Sequence, residues 1–422
     1  MDKHPNIIIC GNYGATNLGD EAILESILET VRKVEPKAVI KVMSSHPQTT
    51  ATLHHVGSMA MMPAGFRSFF GSWMSGSRKR IIENFKWCDA VIFGGGGLFT
   101  DEKPQAILIW LMQILPAIRL KKKIFCFGQS IGPLQHWWSR AIVKFVFKRI
   151  DIITVRDEAS EKLLEKLGIG DVRVLPDPVF GLQKKYTAGN FSLSSNKNSI
   201  AADSSKMMES CKKENIFSEN IPGSFVVFSI RPWLNQSEKF FKTFAEFVDW
   251  IYEKYDFKSV MVPFQKNGDD DEMVMKKIAA KVKNPCVEIL PYDENFLDVL
   301  SCMKVAEAVV GMRLHSLIFS SIVGTPFLSL SYSQKVHEVV SQLGMEKTMV
   351  VVGENKLQIS QAVPESNGEK NLQLEDLQKA FTLLMSEHEK MAENLASKQQ
   401  IFADRINEYV GLLKSFLAAG KK

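Results

Sequence analysis

Short apolar runs rich in branched residues recur along the chain, and amphipathic stretches with helical spacing separate them. That alternation is the signature of parallel sheets covered by helices on both faces. In the first half the runs predict strands at residues 7–10, 39–43, 90–93, 123–127, 152–155 and 173–175, with helices at 21–34, 105–115 and 158–167. The second half repeats the style, with strands at 225–229, 259–262, 308–310 and 327–330 and helices at 238–255 and 314–323. Between the halves, residues 186–220 are rich in Ser, Asn and Lys and carry no sustained hydrophobic period, so they read as a linker or surface insertion. Residues 369–419 read as helical. Phe381, Leu384, Ile401, Leu412 and Leu413 form a stripe there that fits packing back onto the domains. The expectation is an α/β protein of two doubly wound, Rossmann-like domains, 1–180 and 223–368, joined by a linker at 181–222 and followed by a helical tail at 369–422.

A chain of 422 residues accommodates two such domains, and a composition 45% hydrophobic and 23% charged is that of an ordinary globular protein. The net charge of +5 is too small to argue for a nucleic-acid partner. Six cysteines without a Cys-x-x-Cys pair support neither zinc nor redox chemistry. Several lie inside apolar runs, where they read as small buried hydrophobes. The N-terminal residues Met-Asp-Lys-His-Pro lead straight into the first strand without a signal-peptide core, and the expected location is cytoplasmic. The longest apolar run, 106–118, is interrupted by Gln113 and Pro116 and falls short of the roughly 20 residues of a membrane span.

Ligands of open α/β sheets bind beyond the carboxyl ends of the strands, so the strand-to-helix turns carry the candidate chemistry. The first turn, NYGATNLGDE after strand 7–10, combines glycines with Asn17, Asp20 and Glu21. Asp20 and Glu21 stand where they would cap the next helix and offset its positive end, which disfavours a phosphate and suits sugar hydroxyls. A capped turn without a ligand is the competing reading. The second turn places Gly94, Gly95, Gly96 and Gly97 before Asp101. Four glycines in a row raise the entropic cost of folding and point to backbone pressed against a ligand, with Asp101 as general base or hydroxyl acceptor. The third, Gly128-Gln129-Ser130, brings Gln129 to the same sheet edge.

The remaining turns are cationic. Arg156 follows strand 152–155 and reads either as half of an Arg–carboxylate pair within its turn or as an anion clamp. Gly311-Met-Arg-Leu-His-Ser opens a helix with Arg313, Leu314, His315 and Ser316 and no acidic residue. Backbone amides, guanidinium and hydroxyl there make an anion site. Lys335, one turn later, joins it if the two strands are neighbours, and Arg231 at the exit of strand 225–229 is a further clamp. His46, His54 and His55 lack partner carboxylates at metal spacing, and His337 falls on a helix past Lys335, so no metal site is expected.

NYGATNLGDEAIL, VIFGGGGLFTD, GQSIGP, VRDEAS, PDPVF and GMRLHS, in that order, resemble the polysaccharide pyruvyl transferases, closest to the CsaB type. The resemblance runs from about residue 7 to 335 and leaves out the insertion and the tail. It implies a GT-B-like arrangement of the two domains and no cofactor. It implies transfer of the enolpyruvyl carbons of phosphoenolpyruvate to a sugar as a cyclic ketal, with a lipid-linked cell-wall glycan containing N-acetylmannosamine as the acceptor, in the service of surface-layer anchoring. On that reading Arg156, Arg231, Arg313, Leu314, Ser316 and Lys335 hold phosphoenolpyruvate, and His315 is its general acid as well as a ligand. Asn17, Asp20, Glu21, Gly95, Gly96, Asp101 and Gln129 hold the sugar. A GT-B glycosyltransferase using a nucleotide sugar is the alternative enzyme, with Asp298 and Glu307 as its available ribose carboxylates. A two-lobed binding protein is the alternative outside catalysis. An aromatic and basic stretch at 66–81, with Arg119 to Lys123 and Trp137–Trp138, reads as a contact with an anionic membrane surface or as an ordinary core-facing helix.

Overall fold

The computed structural model describes residues 4–63, 77–182, 223–233, 236–352 and 372–419. The insertion at 186–220 and most of the aromatic stretch at 66–76 lie outside the described residues. The chain divides into two compact units, one comprising residues 1–182 with 402–422, the other 183–401.

In the first unit β1 (Asn6–Tyr13), α1 (Leu18–Val34), β2 (Val39–Ser44), α2 (Pro47–His54), β3 (Gly57–Ala60), α3 (Ser77–Trp87), β4 (Ala90–Gly94), α4 (Pro104–Arg119), β5 (Lys123–Gln129), α5 (Trp137–Phe147), β6 (Ile152–Val155), α6 (Glu158–Lys166) and β7 (Val172–Val174) follow one another. The strands form one sheet in the order β3-β2-β1-β4-β5-β6-β7. Every pairing is parallel, with Ile9 opposite Val42 on one side and Ile92 on the other. The central strands are apolar throughout because both faces are covered; all five residues of β4 are buried.

The second unit holds β8 (Phe225–Ser229), α7 (Glu238–Tyr255), β9 (Lys258–Met261), α8 (Asp271–Ala279), β10 (Val287–Ile289), α9 (Phe296–Lys304), β11 (Ala308–Gly311), α10 (Leu314–Val323), β12 (Phe327–Ser331), α11 (Gln334–Gln342) and β13 (Met349–Val351). Its parallel sheet has the order β10-β9-β8-β11-β12-β13. In both sheets the chain reverses direction next to the first strand, at β1/β4 and β8/β11, so each carboxyl edge has a switch-point crevice. The tail forms α12 (Leu374–Ser386) and α13 (His388–Ala418).

Three strands escaped the sequence reading: β3, β10 and β13. Each is an edge strand of three or four residues, too short and too little buried to show an apolar run. The helix read as ending at 115 continues through Pro116 to Arg119. A proline there removes one helical hydrogen bond, but Ile114 and Ala117 are buried on the face that Ile107 and Trp110 begin, and this packing holds the last turn.

Candidate functional site

At the carboxyl edge of the first sheet, Asn17 caps α1: its side chain accepts from the amides of Gly19 at 3.0 Å and Asp20 at 3.3 Å. The caps expected from sequence, Asp20 and Glu21, instead occupy the buried first turn, 7% and 3% exposed. Asp20 Oδ2 accepts from Asn12 at 2.8 Å. Burial pushes its carboxyl up to about 7, with the Glu21 charge adding to the rise and Asn12 and Arg156 opposing it.

Glu21 is engaged at both oxygens. Oε1 accepts from the Gly14 amide at 2.7 Å, and Oε2 lies 3.0 Å from His54 Nε2. Glu25 meets the other ring nitrogen of His54 at 2.9 Å. The expectation that His54 lacks partner carboxylates is therefore corrected, because α1 supplies two. Burial lowers the His54 pKa, but the two glutamates more than reverse this and leave it raised. Only an imidazolium donates to both carboxylates at once. This buried triad fixes the amide of Gly14 and with it the turn that ends in the Asn17 cap.

The glycine run has an intramolecular explanation. Gly95 and Gly96 have φ of +95° and +71°, and a Cβ on Gly96 would lie 2.9 Å from Asp20 Oδ1. A Cβ on Gly95 would approach the Tyr13 hydroxyl at 3.0 Å. The loop is pressed against the protein itself, which sequence alone does not distinguish from a ligand. Asp101 Oδ2 accepts from the His136 amide at 2.8 Å, and the Asp101 amide donates to Pro133, so the residue ties the loops after β4 and β5 together. Burial raises its carboxyl, but the amides of His136 and Gln135 reverse this and hold it below its ordinary value. Such a carboxylate accepts hydrogen bonds well and takes protons poorly, which argues against Asp101 as the general base. Gln129 is fully buried at the end of β5, with Nε2 directed at the Phe93 carbonyl at 3.4 Å.

Arg156, 6% exposed, donates to Ser130 Oγ at 2.8 Å and to Asp177 Oδ2 at 2.5 Å. The pair is real, but the partner comes from PDPVF beyond β7 and not from its own turn. Asp157 caps α6 instead. Asp177 was missed, and its position two residues after a strand run was the available signal.

At the carboxyl edge of the second sheet four adjacent strands contribute. The Arg313 guanidinium, 8% exposed, grips Asp271 through Nη2–Oδ1 at 2.5 Å and Nε at 3.1 and 3.2 Å, and donates from Nη1 to Gln265 at 2.9 Å. Arg231 donates to the Tyr332 hydroxyl at 2.7 Å and to Asp269, and lies 5.1 Å from the Tyr332 ring centroid. Asp269 Oδ2 is also 4.0 Å from Arg313 Nη1. The helix start itself carries no acidic residue, as its sequence says, but its surroundings do. The guanidiniums meet two carboxylates, Asp269 from the loop after β9 and Asp271 at the start of α8; this Asp-Asp-Asp run after a strand was the unused signal. Burial raises the Asp271 carboxyl, and Arg313 offsets only part of the rise.

Leu314 and His315 are the first two residues of α10, both half-buried, and no acidic residue shares that turn. Ser316 is fully buried and its hydroxyl donates to the Arg313 carbonyl at 2.6 Å, which closes the turn. β11 and β12 pair directly, Val310 opposite Leu328, which sets the half-buried Lys335 at the start of α11 next to the start of α10. Among the described residues no group of three or more His, Cys, Asp or Glu is arranged to hold a metal ion, and no helix is long and apolar enough to cross a membrane.

Two parallel-sheet units with these edges are the architecture of GT-B glycosyltransferases and related epimerases. UDP-GlcNAc 2-epimerase from Neisseria meningitidis, bound to UDP-GlcNAc, aligns over 97% of this chain and 99% of its own with a TM-score of 0.62 and 14% identity. S. aureus MnaA with UDP aligns over 98% and 97%, with a TM-score of 0.63 and 12% identity. At such identities the likeness concerns the fold. The family described as polysaccharide pyruvyl transferase matches residues 17–334, and the chain belongs to that family. The amylovoran biosynthesis protein AmsJ of Erwinia amylovora is 25% identical over 373 residues, covering 80% of this chain and 86% of its own length.

Proposed function

We propose that the protein transfers the enolpyruvyl carbons of phosphoenolpyruvate to a sugar diol of a polysaccharide, forming a cyclic pyruvate ketal and releasing phosphate. The observation that carries this reading is the second sheet's carboxyl edge, where adjacent strands bring Arg231, Arg313 and Lys335 to the same edge as the start of α10, which bears His315 and no acidic residue in its first turn. A small trianion needs several cations and amides together, and guanidiniums already oriented by carboxylates meet carboxylate or phosphate in a fixed fork. His315 gives a proton to the methylene carbon, a sugar hydroxyl attacks the adjacent carbon, phosphate leaves, and a second hydroxyl closes the ring. One proton enters the new methyl group, two leave the hydroxyls, and one departs with phosphate. Arg156 in the first unit is the further anion ligand of this reading, and Asn17, Gln129, the glycine loops and Asp101 belong to acceptor binding. The finer expectation is a lipid-linked cell-wall glycan with N-acetylmannosamine, as in the CsaB type.

A nucleotide-sugar glycosyltransferase calls for a carboxylate at the second sheet's carboxyl edge. Glu307 lies at the opposite end, its amide donating to Phe225 and its carboxylate accepting from Ser224. Asp298 does stand on the carboxyl side, in the first turn of α9 after β10, whereas Asp269 and Asp271 face guanidiniums. The deciding experiment supplies phosphoenolpyruvate and lipid-linked glycan, following phosphate release and the mass of the sugar. Turnover only with a nucleotide sugar in place of phosphoenolpyruvate would reverse the assignment.

The acceptor's lipid anchor fits a basic surface of the first unit. Residues 103–150 contain nine Lys or Arg and no Asp or Glu. The helices within that stretch expose Trp137 at 79%, Leu108 at 50% and Phe145 at 39%. Cations with exposed aromatic and aliphatic side chains complement an anionic bilayer. Sedimentation with vesicles of anionic lipid is expected to carry the protein down, and Trp137→Ser with Lys144→Glu and Lys148→Glu to leave it in solution. Equal binding of that variant ends the idea.

A further inference from the structure

Three carboxylates border the glycine loops of the first unit, and their surroundings separate them. Glu21 is engaged at both oxygens, by the Gly14 amide and His54. Asp101 holds the His136 amide and lies below its ordinary pKa. Among the described residues, Asp20 differs from Glu21 in having an oxygen that accepts no hydrogen bond, and from Asp101, whose Oδ1 is likewise unpartnered, in having no backbone amide on its carboxylate. It stands in the first turn of α1 beside the β1/β4 switch point, more than nine-tenths buried, with Oδ2 oriented by Asn12. Its other oxygen, Oδ1, faces the backbone of Gly96, and no hydrogen bond from the described residues reaches it. Any side chain at position 96 would cover that oxygen. Glu21, Arg156 and Asp177 are the charged groups that act on Asp20, and Tyr13 is the neutral phenol on the same side.

We propose that Asp20 is the general base for the acceptor, an assignment that rests on the pyruvyl-transfer reading above. As the sugar hydroxyl attacks, its O–H bond breaks, the proton goes to Asp20 Oδ1, and the oxygen bonds to the carbon whose methylene neighbour has been protonated. The carboxylate becomes a neutral carboxyl and then returns the proton to water. Its elevated pKa gives the proton transfer driving force while leaving much of the group ionised near neutral pH. The contrast with Asp101, held low by amides, assigns acceptor binding to one carboxylate and proton removal to the other.

The test compares wild type with Asp20→Asn, using phosphoenolpyruvate and the glycan acceptor. Turnover is expected to fall about 10²–10⁴-fold, while phosphoenolpyruvate binding, followed by tryptophan fluorescence, is unchanged. The wild-type kcat/KM for acceptor should decline below about pH 7, and the variant should lose that decline. Turnover of the variant within about tenfold of wild type removes Asp20 from the chemistry. Loss of phosphoenolpyruvate binding together with turnover assigns it to the donor instead. A wild-type profile flat between about pH 5 and 8 overturns the proposal without any variant. A wild-type protein that neither forms ketal nor releases phosphate defeats the underlying reading and this one with it; active wild type with an indifferent Asp20→Asn defeats this one alone.

Discussion

Arg313 and Asp271 form a buried, multiply bonded pair: the carboxylate is fully buried and also accepts from the amides of Phe264 at 3.0 Å and Gln265 at 3.2 Å. The loop after β9 and the helix start after β11 are thereby fixed to each other. Removing one member of such a pair leaves the other charge buried and unmatched. Asp271→Ala is expected to cost roughly 3–5 kcal/mol of stability and to weaken phosphoenolpyruvate binding because Arg313 loses its orientation. Denaturant unfolding and a binding titration check both parts; an unchanged titration would show that Arg313 acts only in the fold.

Asp269 is a different kind of partner. Its side chain is 28% exposed and contacts Arg231, so it occupies a guanidinium that an incoming anion would also use. An ion pair of this exposure contributes up to about 1 kcal/mol. Asp269→Asn should therefore tighten phosphoenolpyruvate binding by up to about fivefold. Weaker binding in the variant would mean that the carboxylate orients Arg231 more than it competes.

For His315 the useful measurement is the split between kcat and KM. His315→Ala is expected to lower kcat by about 10²–10⁴ with a smaller change in KM for phosphoenolpyruvate. A rise in KM with kcat preserved would make His315 a ligand for the substrate and not its proton donor.

Asp20 has a consequence for stability as well as catalysis. Its carboxyl moves from 3.8 to about 7 on folding, so the folded state keeps a proton that the unfolded state gives up. Stability therefore falls as pH rises between those values, and above about pH 7 the full cost is on the order of 4 kcal/mol. Asp20→Asn should melt higher than wild type at pH 8 and nearly alike at pH 4. Equal melting at both pH values would show that Asp20 is not strained by burial.

Much of the architecture was legible because it is written in local patterns. The runs behind β1, β4, β8 and β11 are apolar for one physical reason, burial on both faces; that these strands flank the two switch points is shown only by the strand order. The edge strands β3, β10 and β13 lack that signature. The candidate cations were legible too, since each follows a strand. Their partners were not. Arg313 meets Asp271 across 42 residues, Arg156 meets Asp177 across 21, and His54 meets Glu21 across 33. No periodicity connects such positions, so the sequence displayed the cations without the carboxylates that restrain them.

The C-terminal helix α13 bears on how the protein is made. Its residues from Phe402 onward belong to the first unit. There Tyr409 stacks on Phe127 at 4.3 Å, Phe416 packs on Phe125, Phe402 on Phe180, and the Tyr409 hydroxyl donates to Pro176. A ribosome working from the N-terminus has therefore made the whole sheet of the first unit long before it makes the helix that seals one of its faces. Until the last turn of α13 has emerged, Phe125 and Phe127 have no cover from it. Nascent chains of this protein thus leave these rings without that cover from the synthesis of Phe127 to that of Phe416, and a chain ended before Phe402 leaves them so for good.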